Sequence, residues 1–136
     1  MSRRHLYLPG ILLTLACSDT TAPVLPYRGP PTVQGIWRHD FGFAGNAFSM
    51  TLLTFDSTVS GYGIWAGEAC CSGTVSILGT TSNGLLKLDL AFRTEGGLPR
   101  PSFSQHFEGR LVGRDTLSGT LSESGQTTPY SYRRIP

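Results

Sequence analysis

The stretch LLKLDLAFRT, residues 85–94, constrains this chain more than any other. Residues two apart on an extended backbone share a face. Leu86, Leu88, Leu90 and Phe92 therefore lie on one side, and Lys87, Asp89 and Arg93 on the other. A strand of this kind needs further strands that bury the same face. The chain supplies them from about Thr32 onward, as short alternating runs punctuated every ten to twelve residues by turn signals. The runs are TVQGIWRHDF, NAFSMTLLTF, TVSGYGIWAG, SGTVSILG, SFSQHFEGRLV, TLSGTLSES and TTPYSYRRI, with no helical period anywhere. Together with residues 85–94 they predict an all-β domain over 32–136. The expected form is an eight-stranded antiparallel up-and-down barrel, whose closure removes exposed sheet edges. Gly35, Gly61, Gly63, Gly109 and Gly119 fall inside the runs, where glycine marks tight coiling or close backbone approach. A two-sheet sandwich is the competing architecture.

The segment ahead of the barrel has a different character. MSRRH is a short basic stretch and LYLPGILLTLA an apolar one of signal-peptide length, too short to span a bilayer. Residues 1–16 are thus expected to be a signal peptide. Leu13-Thr14-Leu15-Ala16-Cys17 resembles the lipobox of bacterial lipoproteins, in which the cysteine is diacylated and tethers the protein to a membrane. The usual motif has leucine three places before the cysteine and a small residue two before. Here those places hold Thr14 and Leu15, while Ala16 fits. Thr14 and Ala16 also satisfy a general small-x-small secretory site.

Residues 17–31 carry Pro23, Pro26, Pro30 and Pro31, a composition that favours an extended spacer over helix or sheet. The resemblance implies lipid on Cys17 and a location in the bacterial cell envelope. Ser18, next to the cysteine, favours the outer membrane. Without Arg3 and Arg4 the chain holds nine basic and nine acidic residues, which leaves no electrostatic footprint for nucleic acid.

If Cys17 carries lipid, the exported part keeps Cys70 and Cys71. Adjacent Cα atoms are about 3.8 Å apart, whereas ordinary disulfides want about 4.4–6.8 Å. A strained vicinal disulfide, two free thiols in a turn, and bridging to another molecule all stay open. Glu68 nearby disfavours a reactive thiolate.

Gly35-Ile36-Trp37 on the first strand, with Arg133 and Arg134 on the last, is similar to the calycin barrels: the lipocalins, avidins and fatty-acid-binding proteins. In that group a tryptophan plugs the closed end and an arginine stacks on it as a cation over a π face. The resemblance implies a plug made by Trp37 and Arg133. GIWRHDFG also resembles the avidin pattern G-x-W-x-N-D-x-G, with His39 in place of the asparagine, and TVSGYG resembles the second avidin hairpin. Beyond Trp37 the chain has only Trp65, where avidins use several tryptophans, and the lipocalin T-D-Y motif is absent. Architecture is what the resemblance implies; biotin binding is not.

No constellation points to catalysis. There is no G-x-S-x-G elbow, no H-x-H, H-x-x-x-H or C-x-x-C, and no phosphate-cradling loop before a helix. His106 and Glu108 share the face of strand six opposite Phe103, Phe107 and Leu111, so they are expected to look outward. The reading assigns no catalytic residue, no metal and no cofactor. Function is left to the interior, where an eight-stranded barrel is filled by side chains or holds one small ligand. The candidate lining is Phe48, Met50, Leu88, Leu90, Phe92 and Phe107, suited to a small apolar molecule. The alternative is a structural or interaction module of the envelope with a filled barrel.

Overall fold

A computed structural model describes residues 31–42, 46–66, 72–95 and 102–136. The expected signal peptide, Cys17 and the proline-rich linker as far as Pro30 lie outside the described residues, as do Cys70 and Cys71. The described residues form β1 (Gly35–Asp40), β2 (Ala47–Phe55), β3 (Thr58–Ala66), β4 (Ser72–Ser82), β5 (Leu85–Glu95), β6 (Phe103–Val112), β7 (Thr116–Glu123) and β8 (Gln126–Ile135). They close into a barrel in sequence order, with β8 pairing back to β1. Every neighbouring pair is antiparallel. The eight-stranded antiparallel barrel read from the alternation is the fold.

Local sequence explains the connections. Asn83 and Gly84 both take positive φ, 50° and 75°, the conformation of a two-residue hairpin turn whose twist matches the strands. Ser124 and Gly125 repeat it between β7 and β8, at 49° and 82°. The β2–β3, β4–β5 and β6–β7 turns share one end of the barrel with the start of β1 and the finish of β8. The β1–β2, β3–β4, β5–β6 and β7–β8 connections share the other.

The interior is apolar. Trp37, Leu52, Val59, Leu86, Leu88, Phe107 and Leu117 are wholly buried. Each such side chain contributes about 1.5–3 kcal/mol of transfer free energy. One cross-strand row shows the packing: Trp37 faces Met50, then Gly63, Val75, Phe92 and Phe103 in turn. Glycine beside a large ring recurs, since Gly63 lies against the Phe48 ring and Gly109 against Phe107. Big side chains thus occupy the space that glycine leaves, from the neighbouring strand at Gly63 and from the same strand at Gly109.

Candidate functional site

The two ends of the barrel are built differently. At the end where β1 starts, the Trp37 indole donates to the Val33 carbonyl at 2.8 Å, and the Arg134 guanidinium lies 4.3 Å from the ring centroid. The arginine is Arg134, not Arg133. Side chains alternate along β8, so Tyr132 and Arg134 turn inward together, while Arg133 points out between Arg38 and Thr116. Arg134 donates through Nη1 to the Gln34 carbonyl at 2.6 Å, through Nε to the Arg114 carbonyl at 2.9 Å, and through Nη2 to the Thr32 carbonyl. It therefore ties β8 to the lead-in of β1 and to the β6–β7 turn.

Gly35 makes this possible. Its φ is +145°, and a Cβ there would run into Arg134 Nη1, so the glycine of the Gly-x-Trp motif clears the path of the guanidinium.

Arg134→Ala is expected to cost about 2 kcal/mol, from charge-assisted hydrogen bonds and the cation–π contact. Arg133→Ala should stay within about 0.5 kcal/mol. Urea denaturation of the two variants separates the roles; equal losses would contradict the assignment.

The opposite end carries a cavity of about 180 Å³. Among the described residues it is lined by Phe41, Phe48, Trp65, Phe92, Phe103, Gln105, Leu121, Tyr130 and Tyr132. Phe92 and Phe103 stack at 4.5 Å with planes 6° apart. Tyr132, 1% exposed, stands edge-on to Phe48 at 5.8 Å and to Phe107 at 5.2 Å. His39 is stacked on Tyr130 at 3.9 Å, and its Nδ1 is 2.7 Å from the Ser131 carbonyl. A carbonyl only accepts, so Nδ1 carries the proton. Burial pushes both phenols up from their ordinary pKa, Tyr132 with a further contribution from Tyr130, so both stay protonated at neutral pH.

Of the six residues named as lining, the structure places Phe48 and Phe92 in the cavity wall. Met50, Leu88, Leu90 and Phe107 are at most 1% exposed and belong to the packed core beneath it. Eight strands leave room for side chains and little else over most of the barrel's length. Phe41, Trp65, Phe103, Gln105 and Leu121 also line the cavity without having been named as lining, as do Tyr130 and Tyr132. The signal for the two tyrosines was the alternation Tyr130, Tyr132, Arg134 in TTPYSYRRI, which marks one inward face.

On the outer surface, Asp89, His106 and Ser122 stand side by side on β5, β6 and β7. His106 Nδ1 is 2.9 Å from the Asp89 carboxylate. The Ser122 hydroxyl instead meets Thr127 Oγ1 at 3.1 Å, so the row contains no contact between a nucleophile and a base. Lys87 and Glu108 pair at 3.3 Å beside it, both about half exposed, where ion pairs contribute little to stability. Among the described residues no three His, Cys, Asp or Glu side chains converge as a metal site. No protein-family model matches the chain, and no curated protein or solved structure matches it significantly.

Proposed function

We propose that this is a lipid-anchored envelope protein of calycin-like architecture whose barrel binds one small apolar molecule at its aromatic end. The observation that carries the binding reading is the cavity of about 180 Å³ walled by aromatic rings. An engineered apolar cavity of about 150 Å³ binds benzene, so the volume suits a molecule of one ring rather than a long acyl chain. The opposite end, sealed by Trp37 and Arg134, leaves one route of entry. The signal-peptide pattern and the lipobox-like Leu13–Cys17 support the anchored location.

Native and denaturing mass spectra of the protein purified from an oxidising compartment test the reading. A mass increment of small-molecule size, present only in the native spectrum, is the expected result. Its absence after incubation with the organism's lipid extract and with simple aromatic compounds would overturn the carrier reading. Palmitate labelling that survives Cys17→Ser would overturn anchoring at that residue.

The second reading, an interaction module, is favoured by a different observation. Leu53, Tyr62, Ile64 and Leu78 are between 52% and 65% exposed on the outer face of β2, β3 and β4. Leu53 and Leu78 lie on either side of Ser60 in one cross-strand row, so the four stand on three adjacent strands.

A further inference from the structure

We infer that the cavity takes a planar ring bearing one neutral hydrogen-bonding group, a carbonyl in the simplest case, received by the hydroxyls of Tyr132 and Tyr130. This rests on the binding reading above and adds the chemical class of the ligand. Three observations lead to it.

The first is the character of the wall. Among the described residues it contains no charged side chain, and its polar groups are Tyr130, Tyr132, Gln105 and Trp65. Transferring a carboxylate or an ammonium to such a wall carries a desolvation cost with no counter-charge to offset it. A neutral ligand avoids that cost.

The second is the state of the hydroxyls. Burial acts on both phenols, and Tyr130 adds to the effect on Tyr132, so both hydroxyls are neutral; among the described residues neither has a hydrogen-bond partner. Neither oxygen is among the buried atoms left without a partner, so each hydroxyl is open to the cavity or to solvent. Tyr132 lies at the cavity wall, its ring held by Phe48, Phe107 and Tyr130, and its O–H can donate to an acceptor. Gln105 is held nearby by its Nε2, which donates to Glu123 at 2.8 Å. That bond fixes the carboxamide, and its remaining oxygen is an acceptor.

The third is where unpaired polar atoms collect. Among the described residues the buried side-chain atoms without a partner are Trp65 Nε1 and Thr94 Oγ1. Both flank Gly73 in a single cross-strand row at this same end. Among the described residues the fully buried side chains are otherwise hydrophobic, and the inward polar group at the far end, Arg134, has its partners. Trp65 also lines the aromatic cavity, and a ligand with a polar edge accounts for polar groups gathered there.

Calorimetric titration of the whole protein with ethylbenzene, acetophenone and benzoate tests the inference. The first two share size and shape and differ by one carbonyl; the third adds charge. Acetophenone is expected to bind about tenfold more tightly than ethylbenzene, the scale of one net hydrogen bond, and benzoate to give no heat. Tyr132→Phe removes one oxygen and should abolish the difference, with its circular-dichroism spectrum reporting an intact fold. Tyr130→Phe is the second variant and should narrow the difference. Equal affinity for ethylbenzene and acetophenone in the unaltered protein would overturn the polar edge and leave the cavity reading standing. Benzoate binding best would overturn the neutral class. If none of the three binds, the cavity reading falls and this inference with it.

Discussion

Trp37→Ala is expected to lower unfolding free energy by about 3–5 kcal/mol, the range for removing a large aromatic side chain from a core. Against the roughly 5–15 kcal/mol that holds a domain of this size together, that is a large fraction. Three losses coincide. The wholly buried ring leaves a void, the Val33 carbonyl loses its donor, and the Arg134 guanidinium loses the face it covers. Trp65, at the far end, remains as a fluorescent reporter for urea denaturation. Trp37→Phe keeps a ring beneath Arg134 and should recover most of the loss. A change of less than about 0.5 kcal/mol, the scale of a bland surface substitution, would show that the closed end is held by something other than this plug.

The second large effect is expected at a residue with no side chain. Gly119 on β7 pairs with Gly109 on β6, and a Cβ on Gly119 would meet the Glu108 carbonyl oxygen and the Gly109 Cα. Both obstacles are backbone, so no rotamer change relieves them. The strands must separate, and ladder hydrogen bonds stretch with them. Gly119→Ala should therefore cost about 3 kcal/mol, the upper range for overpacking. Thr120→Ala, one residue along and on the outer face, should stay within about 0.5 kcal/mol. Thermal melts of the two variants provide the comparison. Indistinguishable melting temperatures would mean that β6 and β7 approach less closely than the geometry indicates.

Most of the barrel was legible in the sequence because one physical rule governs it. Alternation in residues 85–94 placed Leu86, Leu88, Leu90 and Phe92 inside, and all four are buried. The same rule placed His106 and Glu108 outside, where each meets a partner on β5. The rule was available on β8 as well, yet its inward residues are Tyr130, Tyr132 and Arg134 rather than aliphatics. A strand with hydroxyls and a charge on its buried face does not announce that face. Choosing Arg133 over Arg134 was the consequence.

The cavity was illegible for a different reason. Its shape depends on which side chains meet across strands far apart in sequence. Phe48 and Trp65 come beside Gly73 only because the β2–β3 and β3–β4 registers align them. A slip of two residues would keep every face correct and move the void. His39 shows the same limit. The avidin-like pattern marked it only as standing in place of an asparagine, whereas it stacks on Tyr130 of the last strand.

The seam between β1 and β8 pairs at Ile36–Ile135, Trp37–Arg134 and Arg38–Arg133, joining positions separated by about a hundred residues of chain. Its consequence is one of timing. At a synthesis rate of roughly 5–20 residues per second, β8 becomes available about 5–20 s after β1. Through that interval Trp37 has no Arg134 to cover it, and both β1 and β7 present unpaired edges of the kind that recruit other chains. Whatever accompanies the nascent polypeptide must keep those edges apart until the last strand arrives. That wait adds an exposure to aggregation that the stability of the finished barrel does not measure.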